Sequence, residues 1–302
     1  INVRDVCSFL IPIPPLTEQR RIVAKLDKLM PHIDGYGKAH ERREQLDREL
    51  PIKLRKSILQ AAVEGKLIEQ SDDDEPASLL LAGIREKRAQ LVREGKAKPV
   101  KGGESIIYRD DAGHWFERRG KDDPVCIDEE IPFDIPDSWC WARMESISNF
   151  GTCLNIEYND VAEGTWNLDL EDIKKDSGIV LRKKCKCNDE QASTKHVFAE
   201  GMVLYSKLRP YLNKVIVADE NGVCSSEILP IQFEGLDARY AQVFLMSPCF
   251  LSFANAHVSG TKMPRLRVAD GKQCLIPVPP LAEQECIVEK VNAVLGFVDT
   301  IN

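Results

Sequence analysis

The sequence lacks the long apolar runs of a membrane protein. Its 302 residues contain no stretch of about 18 to 20 uncharged apolar residues, the length that crosses a bilayer. Its first residues do not show the basic, apolar and small-residue order of an export signal. Ten cysteines are scattered along a chain too long to need disulfide staples. We therefore expect about two domains of a soluble, cytoplasmic protein with reduced thiols and no membrane partner. Because the chain begins at Ile1, we also expect a piece of a longer polypeptide.

Catalytic motifs are also scarce. The sequence has no Gly-x-Gly-x-x-Gly or Walker loop, no His-Glu-x-x-His, and no Asn/Asp-Pro-Pro-aromatic motif of an amino-methyltransferase. Two sparse patterns stay open as alternatives. Asp137, Asp172 and Lys174 have the outline of a Mg²⁺ nuclease site. A second set, Cys185, Cys187 and His196, could supply three zinc ligands, although the cysteine spacing is short and a fourth ligand is missing.

The net charge of -7 is distributed unevenly, which matters because nucleic-acid binding depends on the local field. Residues 17–66 carry 12 Lys and Arg against 8 Asp and Glu, whereas residues 67–138 carry 11 against 18. Residues 139–275 are nearly balanced, with 16 against 17. The acidic runs Asp72-Asp73-Asp74-Glu75 and Asp128-Glu129-Glu130 are typical of a solvated linker. The overall negative charge therefore does not exclude a DNA partner.

An internal repeat is the most informative feature of what is present. Residues 10–34 and 275–299 share 12 identities in 25 positions, beginning with Leu-Ile-Pro-Ile/Val-Pro-Pro-Leu-x-Glu-Gln. In each copy the prolines must end a short strand, and the residues that follow open a helical pattern. Thr17 is the predicted cap of the first helix.

Apolar residues continue at steps of three and four after the first copy, which predicts a helix with one buried stripe from residue 17 to about 63. Pro31, Gly35, Gly37 and Pro51 should bend or interrupt it, and we expect Pro51 to begin a second helix that Gly65 ends. A single apolar stripe requires a partner. The helix of the second copy is of the same kind, so two such helices packed antiparallel would bury both stripes. The alternative is packing on the chain's own sheet.

The rest of the chain changes composition near residue 139. Residues 67–138 predict a mostly exposed acidic connector with one helix at about 77–94. Residues 139–274 alternate short apolar runs with Gly, Asn and Asp turns, which predicts strands at 178–181, 202–205, 215–217 and 228–231. A helix is expected from 238 to about 256. Together these patterns indicate an α+β fold, a globular domain with a long helical spacer.

Two basic segments of this domain are typical of DNA-contacting loops. They place cations for phosphates, amide and hydroxyl groups for hydrogen bonds, and an aromatic ring within short, proline- or glycine-containing stretches. The candidate DNA contacts are Ser206, Lys207, Arg209, Tyr211, Asn213, Lys214, Thr261, Lys262, Arg265 and Arg267. Charges that simply face water explain the same residue types equally well. A third cluster, Arg182 to Lys184 with Lys186, fits a solvated strand better.

Five ordered segments together resemble the specificity subunit of type I restriction-modification enzymes. They are the repeated Leu-Ile-Pro-Ile/Val-Pro-Pro motif, Lys-Ser-Ile-Leu-Gln-Ala-Ala-Val-Glu-Gly-Lys-Leu at 56–67, Asp-Glu-Pro-Ala-Ser at 74–78, Glu-Ile-Pro-Phe-Asp-Ile-Pro at 130–136 before Trp139, and Tyr-Ser-Lys-Leu-Arg-Pro-Tyr-Leu at 205–212. In that family two target-recognition domains alternate with two helical spacers that pair as an antiparallel coiled coil. Each recognition domain reads one half of a split DNA sequence.

The resemblance implies a division of this chain into five parts. Residues 1–16 resemble the tail of a preceding recognition domain, 17–66 the central helical spacer, 67–138 the acidic connector, 139–273 a complete target-recognition domain and 274–302 the start of the distal spacer. Most of one recognition domain and the rest of the distal spacer are missing from the family pattern. Dimerisation through the helical spacer would restore a reader of two half-sites.

The resemblance also implies which partners and cofactors to expect. The chain would bind double-stranded DNA and modification subunits directly, and restriction subunits indirectly. It would hold no cofactor itself, because S-adenosylmethionine, ATP and Mg²⁺ would bind to the partner subunits. The chain would therefore not be an enzyme alone. A coiled-coil scaffold that binds other proteins without DNA specificity remains the alternative.

Overall fold

The computed structural model describes residues 7–71, 74–95, 100, 102–187 and 193–300. Asp72 and Asp73 of the first acidic run lie outside the described residues. Contacts divide the chain into two units, with the boundary between Lys53 and Leu54.

One helix, α1, runs without a break over Leu16–Val63 and contains both Pro31 and Pro51. The prediction that Pro51 begins a separate helix is therefore wrong, and so is the prediction that Thr17 caps the first one. A proline in a helix interior removes one hydrogen bond of the ladder, and the many Leu, Lys, Arg and Glu residues around it favour helix strongly enough to continue. The predicted end is confirmed. Gly65 has a φ of 68°, and the Lys66 amide donates to the Ala61 carbonyl at 2.9 Å, which closes the last turn.

The part of α1 in the first unit exposes its apolar stripe. Ile22, Leu26, Leu29 and Ile33 recur at helical spacing, and each keeps about half of its surface exposed. On the solvated faces, ion pairs between residues four apart, such as Lys53 with Glu49 at 2.6 Å, add modest support. An apolar stripe in water is the surface a second helix would cover.

The second unit begins where the last turns of α1 become core. Leu59, Ala62 and Val63 are buried in one hydrophobic cluster with the sheets and helices that follow. Helix α2, Ala77–Arg93, joins the same cluster through Ala77, Leu81 and Ile84, as the sequence predicted.

Three further strands occupy the region that the sequence predicted as a connector. Strands β1 (Ser105–Arg109), β2 (Trp115–Arg119) and β3 (Val125–Cys126) form an antiparallel sheet. The buried carboxylate of Glu117 accepts from the buried Arg143 guanidinium at 2.6 Å. Because these two charges satisfy each other, they fix the small sheet to the main domain.

The second acidic run is structural and not simply solvated. Asp128 accepts from the Trp115 amide at 2.6 Å, which lowers the pKa of that carboxyl together with its bond to His114. Glu130 pairs with Arg143 at 2.7 Å. The linker interpretation of residues 128–130 is therefore corrected.

The remaining strands form several small sheets. Their bounds are β4 Cys140–Arg143, β5 Leu154–Glu157, β6 Trp166–Leu168, β7 Thr194–Phe198, β8 Val203–Ser206, β9 Val215–Val217, β10 Gly222–Ser225, β11 Ile228–Ile231, β12 Val258–Ser259, β13 Arg265–Leu266 and β14 Leu275–Val278. A four-stranded sheet has the order β5-β7-β10-β6, with only β6 and β10 parallel, and a three-stranded antiparallel sheet has the order β11-β8-β9. Two-stranded sheets pair β4 with β14 and β12 with β13. Thus the apolar runs near 203, 215 and 228 are strands as predicted.

Two local predictions in this domain are corrected. Residues 178–181 are not a strand, and only an isolated bridge joins Val180 to Ile173. The helix predicted at 238–256 is two helices, α4 (Ala238–Met246) and α5 (Pro248–Ala256). Ser247 is extended, with a ψ of 154°, because the residue before a proline disfavours the helical conformation.

The second copy of the repeat closes the domain. Strand β14 pairs antiparallel with β4, and helix α7, Leu281–Asp299, follows directly. Short helices α3, Met144–Ile147, and α6, Val268–Gln273, lie after β4 and before β14. In contrast, residues 9–15 of the first copy form no strand, although they share the same apolar and proline residues. The predicted strand therefore forms in the second copy alone.

The thiols and the helices bear on two further expectations. All ten cysteines lie within the described residues, and each is a free thiol. Among the helices that the structure describes, none is long and apolar enough to cross a membrane.

Candidate nucleic-acid interface

The two basic segments predicted from separate parts of the sequence lie side by side. The Arg209 amide donates to the Pro264 carbonyl at 2.7 Å, and the Leu266 amide donates to the Lys207 carbonyl at 2.9 Å. An isolated bridge also pairs Leu208 with Arg265. These main-chain bonds combine residues 206–214 and 259–267 into one surface, which we call the basic loop pair.

The first loop of the basic loop pair has an unusual backbone. Arg209 and Asn213 have φ angles of 51° and 48°, in the left-handed region, on either side of the 3₁₀ turn Pro210–Leu212. Side chains other than glycine occupy that region at an energetic cost, and such residues are concentrated at functional sites. The Pro210 ring and the bond from the Leu212 amide to the Arg209 carbonyl, at 2.9 Å, hold the turn in place.

Three of the ten predicted contact residues point into the protein. The Ser206 hydroxyl donates to the Leu208 carbonyl at 2.9 Å, and the buried Asn213 amide donates to the Met246 carbonyl at 3.0 Å. The Lys214 ammonium donates to the Leu170 carbonyl at 2.6 Å, and burial lowers its pKa. These side chains fix the path of the loop.

Arg209 of the basic loop pair carries a donor that the protein does not satisfy. Its Nε atom is buried without a hydrogen-bond partner among the described residues. An unsatisfied buried donor costs about 1 to 3 kcal/mol, and because the Nε atom has almost no exposed surface, an acceptor from outside reaches it only if the side chain turns outward. A guanidinium matches the paired acceptors of a phosphate or a guanine edge.

The other cations differ in how far the protein already neutralises them. Lys262 is exposed and Lys207 is half-buried. Arg265 makes a two-atom contact with Glu227, with Nε at 2.9 and 3.0 Å from the two carboxylate oxygens, and Arg267 pairs with Asp270. The hydrogen bond with Arg265 lowers the pKa of Glu227, so both partners stay charged at neutral pH.

The two uncharged candidates lie at the surface. Tyr211 keeps 49% of its surface exposed at the tip of the first loop, and Thr261 is exposed in the second. An exposed ring beside cations can stack or pack on a nucleic acid.

Sequence reasoning missed the role of Glu227. It follows β10 and lies 38 positions from Arg265 in the sequence. An acid directly after a strand gives no local signal that it will meet an arginine of another segment. Only the pairing of β11 with β8 brings it there.

The third basic cluster is not the solvated strand that the sequence suggested, because residues 182–184 form no strand and their cations are paired within the domain. The Arg182 guanidinium contacts the buried carboxylate of Asp172 at 2.6 Å, and Lys183 pairs with Asp219 at 2.7 Å. Lys186 donates to main-chain carbonyls, including that of Tyr158 at 2.7 Å. Its charges are therefore engaged within the domain.

The two metal-site alternatives find no support in the geometry. Asp137 is fully exposed near Arg109, whereas Asp172 is buried against Arg182. The His196 ring contacts the Ile228 carbonyl at 2.8 Å. Across the residues that the structure describes, no group of three or more His, Cys, Asp or Glu side chains could hold a metal ion.

The chain is similar to specificity subunits of type I restriction enzymes from Escherichia coli. The EcoDI specificity subunit is 25% identical over 305 residues, which cover 100% of this chain and 58% of that protein. The EcoAI specificity subunit is 27% identical over 261 residues, which cover 82% of this chain and 40% of that protein. The chain thus spans about half the length of the curated relatives it matches. No protein-family model matches it.

Two solved structures are also similar to this chain, at lower identity. The HsdS subunit from Thermoanaerobacter tengcongensis is 18% identical, with a TM-score of 0.42 over 100% of this chain and 56% of that chain. A chain from a structure of type I R-M system assembly and conformational transition is also 18% identical, with a TM-score of 0.45 over 99% of this chain and 57% of that one.

Proposed function

Because the chain belongs to the specificity subunits of type I restriction enzymes, we propose that it selects the DNA sequence on which partner subunits act. Residues 139–273 are the proposed target-recognition domain, and they read one half of a bipartite target. The chain contributes recognition and no chemistry of its own.

The observation that carries this proposal is the convergence of the basic loop pair. Main-chain bonds between Arg209 and Pro264 and between Lys207 and Leu266 collect cations from two distant segments on one surface. Local positive charge, more than the total charge of a chain, decides whether it binds a polyanion.

The geometry supports different roles for the predicted contacts. We assign base reading to Arg209, whose Nε atom has no hydrogen-bond partner among the described residues, and phosphate contact to Lys207 and Lys262. Arg265 and Arg267 keep part of their donor set for DNA while an acid orients each of them. Ser206, Asn213 and Lys214 support the loop from inside.

The exposed stripe of α1 supports a spacer function for residues 17–66. A second helix with the same apolar spacing would cover Ile22, Leu26, Leu29 and Ile33 and form an antiparallel coiled coil. A homodimer through this spacer would place two recognition domains at a fixed separation. The spacer length would then set the gap between the half-sites.

The partners and cofactors follow from the same proposal. Modification subunits would dock on the spacer and the recognition domain and use S-adenosylmethionine. Restriction subunits would join indirectly and use ATP and Mg²⁺. None of these three cofactors is assigned to this chain.

Mapping of methylated sites tests the recognition role. The chain is expressed with its modification subunit, and methylated positions are sequenced for the wild type and for Arg209→Ala. We expect a bipartite site for the wild type and relaxed preference at one base position for the variant, equivalent to about 1 to 3 kcal/mol of lost discrimination. Arg239→Ala removes an exposed cation from the surface of α4 and should leave the site unchanged. Loss of Arg209 without any change in the site would overturn the base-reading role.

An insertion in the spacer tests whether the spacer length sets the gap between the half-sites. Four residues added before Pro51 lengthen the helix by about 6 Å, or nearly two base pairs. The preferred gap should change while both half-sites stay the same. An altered half-site with an unchanged gap would contradict the spacer function.

A gel shift separates this function from the scaffold alternative. A DNA-recognition subunit should retard random-sequence duplexes in a salt-dependent way, because phosphate contacts release counterions. A protein scaffold should bind no duplex at any salt concentration.

A further inference from the structure

A lysine-containing turn lies against the first loop of the basic loop pair. The Asp176 amide donates to the Leu212 carbonyl at 3.3 Å. Next to this contact, the Lys214 ammonium donates to the Leu170 carbonyl at 2.6 Å. Residues 170–178 and 206–214 are therefore bonded to each other at two points, although some 36 residues separate them in the sequence.

The turn is held rigidly. The Lys174 amide donates to the Ile179 carbonyl at 2.9 Å, and the Ser177 hydroxyl donates to the Lys174 carbonyl at 3.1 Å. Asp176 has a φ of 54°. A Cβ added at Gly178, whose φ is 68°, would meet the Gln242 amide nitrogen at 2.7 Å, so helix α4 supports the turn closely from behind.

The two lysines of this turn differ from the other cations near them. Lys174 and Lys175 are exposed. Within the described part of the chain, Lys174 has no ion-pair partner, and Lys175 meets only the adjacent Asp176 at 3.7 Å. In contrast, Arg182, Lys183 and Lys184 each contact at least one carboxylate at 2.9 Å or closer. This domain therefore neutralises one run of cations and leaves another available.

We infer that Lys174 and Lys175 form a third DNA-contacting segment, which binds phosphates beside the basic loop pair. This inference rests on the proposed function. Phosphate contacts fix the register of a protein on the duplex without reading sequence, and a rigid turn bonded to the reading loop is suited to that task. A lysine is a compact point charge, so it serves phosphate binding better than base reading.

Duplex binding by the full chain tests this segment. The probe is a labelled random-sequence duplex of about 30 base pairs, titrated over a range of salt concentrations. In the double variant Lys174→Ala, Lys175→Ala, the negative slope of log K against log salt should become less steep by about two, because each lost phosphate contact reduces its magnitude by about one. The matched control is Lys87→Ala, Lys121→Ala, which removes two exposed lysines outside residues 139–273 and should change the slope little.

A substitution that removes a negative charge from the same turn provides a second test. Asp176→Asn keeps the left-handed backbone, which asparagine tolerates well, and removes the carboxylate beside Lys175. Binding should become tighter than for Asp160→Asn, which removes an exposed carboxylate elsewhere in the domain.

Each outcome has one meaning. A slope equal to that of the lysine control would overturn the third segment while leaving the proposed function intact. No duplex binding by the wild type at low salt would contradict the proposed function itself. Thermal unfolding of the variants at the wild-type temperature shows that loss of binding is not loss of fold.

Discussion

The two copies of the repeat share their sequence but not their surroundings. Ile276 of the second copy is fully buried, whereas Ile11 at the same position of the first copy is 76% exposed. Along the helices, Ile287 and Val291 are buried, and their counterparts Ile22 and Leu26 are about half exposed. The repeat therefore gives both copies the same apolar surface, and within the described chain only the surface of the second copy is buried.

The helix and the strand of the repeat depend differently on their surroundings. The helix forms in both copies, and in both the glutamine side chain donates to a preceding proline carbonyl, at 2.8 Å for Gln19 and 3.1 Å for Gln284. The strand forms only where Cys140–Arg143 supplies an antiparallel neighbour. Helical hydrogen bonds are local, whereas a strand needs a partner from elsewhere in the chain.

The largest expected effect comes from the buried strand. We expect Ile276→Ala to lower the free energy of unfolding by about 2 to 5 kcal/mol, because it removes a fully buried side chain and leaves a cavity. The matched change Ile11→Ala should cost less than about 0.5 kcal/mol. Urea unfolding of both variants measures the difference. Equal losses would show that the first copy is seated as firmly as the second.

A smaller effect is expected at the repeated glutamine. The Gln284 side chain is buried, accepts from the Asp237 amide at 2.6 Å and donates to the Gly235 carbonyl at 3.3 Å. Gln284→Ala should therefore destabilise the chain by about 1 to 3 kcal/mol, since these groups lose their partner. Gln19→Ala loses only one local bond and should change stability by less than about 0.5 kcal/mol. Chemical denaturation of both variants measures this difference. Equal midpoints would show that the buried hydrogen bonds of Gln284 stabilise the chain no more than the single bond of Gln19.

A substitution in the interior of helix α7 should raise the stability of the chain. Gly296 occupies the repeat position of Pro31, and a Cβ there would meet nothing within 4 Å. Gly296→Ala should raise the free energy of unfolding by about 0.5 to 1 kcal/mol, because glycine is a poor helix former. Gly271→Ala is the control. Its Cβ would clash with the Phe150 ring, so this substitution should destabilise the chain. A loss of stability at Gly296 would mean that this face of α7 is covered.

The smallest expected effect is a pH dependence at the repeated glutamate. Burial raises the pKa of Glu283 above its ordinary value of 4.5, although hydrogen bonds from Trp139 and Gln70 oppose this. The folded state therefore holds the proton more tightly than the unfolded state, so stability falls as the pH rises from the unfolded pKa through the folded one.

A substitution isolates this contribution. Glu283→Gln should lack that fall, and the difference between its unfolding free energy and that of the wild type should change only in this acid window. Glu18→Gln, in an exposed side chain, should follow the wild type. A constant difference for Glu283→Gln across the acid range would show that the carboxyl does not titrate with folding.

The sequence predicts the local features of the fold well. Apolar spacing and Gly65 located the end of α1, and turn residues around apolar runs located β8, β9 and β11. The effect of proline on the helices was predicted wrongly at two positions. Proline interrupts nothing at Pro51, but it separates two helices at Pro248, because Ser247 can cap the second helix there.

The features that the sequence could not predict depend on distant contacts. The sheet of β1 to β3 lies in a stretch whose acidic composition indicates a linker. It is held by the contact of Glu117 with Arg143, which is 26 positions further along the chain. In the candidate interface, residue types predicted the two basic segments. They could not predict that Asn213 turns toward Met246 or that Arg265 meets Glu227, since those contacts join residues 33 and 38 positions apart.

The main-chain bonds of the basic loop pair have a consequence for how such a protein can diversify. The path of the loops is set by amide and carbonyl groups of Lys207, Arg209, Pro264 and Leu266, and by inward side chains such as Asn213. The outward side chains are free of that task. Selection can exchange them one at a time and acquire a new preference without rebuilding the frame that presents them.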